Sequence, residues 1–257
     1  NGRVPKGIYP KDIALNIITK IKSNGATYKA VEFYGPVIDA MDMDGRFTIS
    51  NMVVEMGAKA GFMPADKTTI KWLKDKGVHP SKIKPVIADP DAIYEDLMVF
   101  DVSNMQPQVS IPHSVDSAKP ARELGNIKIN EAFLGTCING RLQDLRVAVK
   151  ILKGRKVASD VKLIVAPSSR SILLEALKLG LIDTLVKSGA VIVAPGCGPC
   201  VGTHNGIPAD SEVVISSANR NFKGRMGNPK AFIYLASPAT VAASAVKGFI
   251  CDPREFL

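Results

Sequence analysis

The sequence predicts an α/β protein: a mostly parallel sheet with helices on both faces. Short apolar runs rich in β-branched residues, such as 161–166 and 213–217, alternate with stretches of helical periodicity. Pro167 and the pair Pro195-Gly196 break two of these runs, as expected where a buried strand meets a turn. An apolar content of 46% with 22% charged residues is that of an ordinary globular protein, and 257 residues suffice for two cores.

In chain order, residues 10–22 read as a helix, 30–33 as a strand, 50–60 as a second helix and 67–76 as a third, closed by Gly77. Residues 97–101 read as a strand leading toward Pro107 and Pro112. The Lys- and Pro-containing stretch 114–126 reads as a connector, which divides the chain into domains at 1–120 and 121–257. Beyond it, Glu131–Gly135 is a short strand ending at Thr136-Cys137. Asn139 then caps a helix whose apolar face is Leu142, Leu145, Val149 and Leu152. Residues 161–166 form the next strand, and 171–179 a helix with Gly180 as its C-terminal cap. Strands follow at 190–194, 213–217 and 232–235. Ser237-Pro238 supplies an N-cap and first-turn proline for a last helix over 239–247.

The net charge of +9 suits an anionic partner, whether nucleic acid, an acidic membrane surface or a polycarboxylate, and does not choose among them. The basic residues are scattered apart from the short cluster 150–156, which also fits a solvated surface. Few aromatics lie among them, which argues against a stacking platform for single-stranded nucleic acid. No run of eighteen apolar residues suggests a membrane span. The start, Asn1-Gly2-Arg3-Val4-Pro5-Lys6, has neither an initiator Met nor the apolar core of a signal peptide, and reads as a chain entered in the middle. Four cysteines, at 137, 197, 200 and 251, are too few and too uneven for a disulfide scaffold, so a reducing, cytoplasmic compartment is expected.

In parallel sheets ligands gather at the carboxyl ends of strands. Cys137, the Cys197 turn and Asn219-Arg220 each follow a predicted strand, so they are expected to converge. Cys197-Gly-Pro-Cys200 admits several readings. It matches the dithiol of thioredoxin-like proteins, although here no helix follows it. With Cys137 and either Cys251 or His204 it suits a structural Zn site. The cysteines also fit buried, inert residues. With Cys137 alone it suits a cubane cluster with one iron left open, whose Lewis acidity fits removal and addition of water on a hydroxy acid.

Several long motifs resemble the aconitase superfamily, in particular the large subunits of 3-isopropylmalate dehydratases and homoaconitases. They are Phe133-Leu-Gly-Thr-Cys-Ile-Asn-Gly-Arg-Leu-Gln-Asp-Leu-Arg146, Pro195-Gly-Cys-Gly-Pro-Cys200, Ser217-Ala-Asn-Arg-Asn-Phe-Lys-Gly-Arg225, Ile233-Tyr-Leu-Ala-Ser-Pro238 and the stretch from Arg46 to Gly61. The resemblance spans nearly the whole chain and implies aconitase-like three-layer α/β/α domains, a middle domain over 1–120 and a cluster-bearing domain over 121–257. The family's N-terminal domain, with its Asp-Ser-His-Thr loop, has no match here, and His79, His113 and His204 lie outside any such motif.

The resemblance implies that Cys137, Cys197 and Cys200 hold a [4Fe–4S] cluster and that Cys251 does not. It implies that Asn51 and Asn219 hydrogen-bond the cluster or its sulfurs, and that Glu55 helps manage the water. Asn51 and Glu55, four apart on a predicted helix, share a face. Arg220 and Arg225 match arginines that hold substrate carboxylates, where a planar guanidinium pairs bidentately as Lys cannot. Taken by themselves, the asparagines read equally as turn residues, Glu55 as an exposed acid and the arginines as surface charges. Gly198, Gly202 and Gly224 are expected to permit tight turns.

The function so implied is a hydro-lyase acting on a hydroxy di- or tricarboxylate, with the isopropylmalate group first and the homoaconitases next. Its serine base belongs to a separate small subunit with a swivelling domain, so this chain alone is expected not to turn over substrate. An RNA-binding regulator on the same scaffold and a Zn-stabilised structural domain are the other classes; neither a membrane nor nucleic acid is the expected partner.

Overall fold

The computed structural model describes all 257 residues. Helix α1 (Pro10–Ile21) is followed by β1 (Ala30–Glu32), the single turn α2 (Pro36–Asp39) and α3 (Met43–Met52). Strand β2 (Ala60–Phe62) pairs in parallel with β1, and α4 (Lys67–Asp75) is capped by Asp66, whose carboxylate accepts from Thr68 and Thr69 N–H. Then come β3 (Gln108–Ser110), β4 (Ala118–Pro120), β5 (Glu131–Gly135), the turn α5 (Thr136–Asn139), α6 (Leu142–Leu152), β6 (Lys162–Ala166), α7 (Arg170–Lys178), α8 (Leu181–Ser188) and β7 (Ala190–Ile192). Strands β8 (Val213–Ser216) and β9 (Phe232–Ala236) precede the last helix, α9 (Pro238–Lys247). No helix is long and apolar enough to cross a membrane.

Seven strands form one sheet in the order β4-β3-β9-β8-β5-β6-β7. Strands β9, β8, β5, β6 and β7 are parallel, and β3 and β4 add an antiparallel edge. Side chains alternate across it. Leu134, Leu163, Val165 and Ile215 enter a core roofed by α6, α8 and α9 through Leu145, Ile151, Leu185 and Val241. Phe133, Ile164, Val214, Ile233 and Leu235 face the other way, onto Leu15 and Ile18 of α1 and Ile49 and Met52 of α3. The result is the three-layer α/β/α architecture expected. One helical layer comes from the first fifth of the chain, and strands from before residue 120 complete the sheet.

Several expectations need correction. The helix expected over 50–60 lies earlier: Asp42 caps α3 by accepting from Gly45 N–H at 2.8 Å, and a 3-10 turn, Val53–Met56, ends at Gly57 (φ +86°). Residues 97–101 join no ladder; instead the Asn1 amino group donates to Phe100 O at 2.7 Å and Val102 N–H to Asn1 O at 3.1 Å. The connector 114–126 contains β4. Gly180 (φ +68°) separates two helices, and the second, α8, was not anticipated. Asn139 does not cap α6. Asp144 accepts from Arg141 N–H at 3.0 Å and so closes that terminus itself.

Candidate functional site

Cys137, Cys200 and Asn219-Arg220 lie at or beyond the carboxyl ends of the parallel strands. Strand β5 ends in a sharp kink. A Cβ on Gly135 (φ +152°) would lie 2.2 Å from Ala166 O, so only glycine lets β6 approach this closely. Thr136 follows at φ +76°, rare for a β-branched residue, and its Oγ1 is buried without a partner. Strain and an orphaned hydroxyl here throw Cys137 outward, where it is exposed.

Cys197 is exposed in the turn after β7, and Cys200 is buried one 3-10 turn later. The turn is shaped by Gly198 (φ +36°) and Gly202 (φ +71°). His204 lies across Gly198 where a side chain would otherwise sit, and the backbone of Gly202 packs against that of Gly227. This last contact joins the cysteine turn to the loop carrying Arg225. Arg225 Nη2 donates to Cys200 Sγ at 3.3 Å, and the Cys200 thiol faces Asn219 Oδ1 at 3.9 Å. Burial pushes the Cys200 thiol up and Arg225 opposes it, while Cys137 and Cys197 are near enough for their charge to raise it further.

Those thiols do not close on one point as ligands of a single ion do, at about 2.3 Å from it. A cubane spreads its thiolates over separate irons, and three free thiols sharing one electrostatic field at a strand end fit that donor set. Cys251 belongs elsewhere. It sits in the core on the opposite face of the sheet, its thiol pushed up to about 12 by burial, so a Zn site uniting it with the other three is contradicted.

Among the remaining predicted residues, Arg220 Nε donates to Glu55 Oε1 at 2.7 Å, joining the loop after β8 to the 3-10 turn after α3. The guanidinium Nη atoms of Arg220 and Glu55 Oε2 have no hydrogen-bond partner. Arg225 also stacks on Phe222, with 5.6 Å from its Cζ to the ring centroid, and its buried Nε has none either. Asn51 is exposed on the last turn of α3 and hydrogen-bonds neither Cys200 nor its neighbours. It and Glu55 fall on different elements, not on one helix face. His79 caps a short turn after α4, and His113 packs beside Phe232.

Sequence reasoning missed Lys11. Its side chain is fully buried, and Nζ donates to Ala218 O at 2.6 Å and Ser217 O at 3.3 Å, just ahead of Asn219 and Arg220. Burial pulls it down to about 7, against the nearby charges of Cys200, Glu55, Asp144 and Asp12. Lys11 lies on the apolar stripe of α1 with Leu15 and Ile18, but a lone lysine on such a stripe does not reveal the carbonyls it meets. Thr48 was missed too. Its hydroxyl lies 3.1 Å from Ile138 O and accepts from Asn139 Nδ2 at 3.2 Å, tying α3 to the turn that carries Cys137. Behind these groups lies a cavity of about 330 Å³ lined by Lys11, Asp44, Thr48, Asn139 and Asp144. Asp144 is pushed up to about 7 by burial.

Comparison with known proteins gives consistent findings. The model of the aconitase family (aconitate hydratase) matches residues 1–124 and 115–248. The chain is 53% identical to 3-isopropylmalate dehydratase large subunit 2 of Archaeoglobus fulgidus and 52% identical to large subunit 1 of Thermotoga maritima. All of this chain is covered in both comparisons, with 62% of each relative. It is 50% identical to the probable methanogen homoaconitase large subunit of Methanosarcina mazei, over 99% of this chain and 64% of that one. The chain therefore spans less than two thirds of the length of these curated relatives.

Proposed function

The chain belongs to the aconitase family, and from that premise we propose that it is the cluster-holding part of the large subunit of a 3-isopropylmalate dehydratase. The whole enzyme would interconvert 2- and 3-isopropylmalate by removing and returning water, a step of leucine biosynthesis. The observation that carries the reading is Cys200. Its sulfur lies within reach of Asn219 and Arg225 from two neighbouring segments, and close enough to Cys137 and Cys197 to feel their charge. Cys137, Cys197 and Cys200 are the residues that would hold a [4Fe–4S] cluster, with Asn219, which faces Cys200, as its polar neighbour. When bound, such a cluster supplies a Lewis-acidic iron that polarises the departing hydroxyl.

The chain's own residues bind and orient. Arg220 presents its unpartnered Nη atoms to one substrate carboxylate while Nε keeps Glu55 in place. Arg225 spends Nη2 on Cys200, and its Nη1 would meet a second carboxylate. Glu55 Oε2 takes or returns the proton of the exchanged water. The base that removes the carbon-bound proton belongs, in this reading, to a separate small subunit with a swivelling domain, consistent with relatives named large subunits. The compartment is the reducing cytoplasm, where free thiols persist. A homoaconitase large subunit is the second reading, favoured by the 50% identity to the Methanosarcina mazei protein.

Anaerobic reconstitution followed by iron and acid-labile sulfide analysis tests the proposal. We expect about four of each per chain, with the Cys137→Ser chain losing most of both. Zinc without sulfide would overturn the cluster assignment. Turnover by the purified chain without a partner would overturn the two-subunit part.

A further inference from the structure

We infer that Lys11 is a positioning residue, holding the exit of β8 so that Asn219 faces Cys200 and Arg220 faces Glu55. This rests on the reading of those residues given above and deepens it. The exit of β8 is a hub. Ser217 N–H donates to Phe133 O at 2.9 Å, and Ser217 Oγ accepts from Gly135 N–H at 2.8 Å, two residues before Cys137. Ala218 N–H donates to Ser216 Oγ at 3.0 Å. Strand β5 thus fixes one side of the hub, and the carbonyls of Ser217 and Ala218 point away from it, where no strand neighbour answers them. The Lys11 ammonium answers both. Its third neighbour is Met52 Sδ at 3.7 Å, on the last turn of α3.

A long side chain ending in at least two N–H donors is required here, because each alternative fails on chemistry. An apolar side chain would leave two carbonyls buried without donors, and a shorter amide would not span the gap from α1. The residue after Lys11 shows why the reach is fixed. Asp12, also fully buried, accepts from Tyr9 N–H at 2.9 Å and from Gln108 N–H at 2.8 Å on β3. The first turn of α1 is therefore pinned to the sheet edge by Asp12, and from that fixed point Lys11 extends to the hub. Releasing Lys11 frees the two residues that carry Asn219 and Arg220 and leaves α1 docked.

Two buried thiols supply the test, with no need for cluster or substrate. Cys200 lies beside the hub and Cys251 in the opposite core, at 4% and 3% exposure. Iodoacetamide labelling of the iron-free chain, counted by mass spectrometry, should show Cys200 in Lys11→Met reacting about tenfold faster relative to Cys251. Equal acceleration at both cysteines, the mark of general loosening, would overturn the proposal, and so would an unchanged ratio. If Lys11→Met does not fold, Lys11→Gln is read by the same ratio with the same expected direction. In the assembled enzyme the variant should raise KM for the hydroxy acid about tenfold, with any fall in kcat accompanying that rise. A fall in kcat at unchanged KM would overturn the positioning of Arg220. An enzyme inactive in every form refutes the functional reading alone, since the labelling ratio stands apart from it.

Discussion

The two ends of β5 handle unmet polar groups in opposite ways. At its start Glu131 is fully buried, and neither carboxylate oxygen has a hydrogen-bond partner. Burial pushes it up to about 7 although Lys162 pulls the other way, because Lys162 is engaged by Glu212 at 3.2 Å. At its far end Thr136 holds an orphaned hydroxyl and a left-handed backbone, and the next residue is Cys137. Both ends cost stability. Only the far end converts that cost into the direction of a side chain, which is where strain persists when the surroundings over-determine it. A buried charge and a strained turn in one strand are therefore separable by what each change disturbs.

The sharpest way to break the comparison is Gly135→Ala. The new methyl meets Ala166 backbone at 2.2 Å, so the variant should lose about 3 kcal/mol or more in denaturant unfolding. A loss below about 1 kcal/mol would mean that the kink is not set by this close approach. Arg220→Lys comes next. Lysine keeps the charge but loses the fork that meets both Glu55 and a carboxylate, so kcat/KM of the assembled enzyme should fall about a hundredfold with the unfolding midpoint nearly unchanged.

Glu131→Gln works at the other end and in the opposite sense. The folded pKa of Glu131, about 7, lies above its ordinary 4.5, so the folded chain holds the extra proton between those values. Stability therefore falls as pH rises through that window, and the loss is complete above it. Glutamine carries no charge to bury. The variant should be about 3 kcal/mol more stable than the parent at pH 8, with the gain gone at pH 4 and catalysis unaffected. A gain that does not vary with pH would point to packing rather than charge. The smallest effect is expected for Thr48→Val, which removes the contacts to Asn139 and Ile138: about 1 kcal/mol, measured by thermal unfolding.

The second half was legible because its strands are fully buried and read as apolar runs, each followed by a break. The bounds of β5, β8 and β9 differ from expectation by at most one residue. Strands β3 and β4 were not, since three residues carry no periodicity and their partners lie far along the chain. Helix α8 was hidden because Gly180, a plausible terminus for α7, also begins the helix after it. At the site, motif order located Cys137, Cys200, Asn219 and Arg220, whereas the Glu55–Arg220 pair required three dimensions. Lys11 shows the same limit. A lysine in the first turn of a helix reads as solvated until the carbonyls it meets, 207 residues away in the case of Ala218, are known.

That separation has a consequence for the chain as it is made. The apolar stripe of α1, with Leu15 and Ile18, is completed by Val214, Ile233 and Leu235. At about 5–20 residues per second, the 207 residues between Lys11 and Ala218 take on the order of ten to forty seconds to translate. Throughout that interval the nascent helix has no sheet to lie on, and its contacts are among the most non-local in the molecule. Until the sheet is made, that stripe can be covered from within the chain only by nearby elements such as α3, through Ile49 and Met52, so its full burial waits on the ribosome rather than on folding.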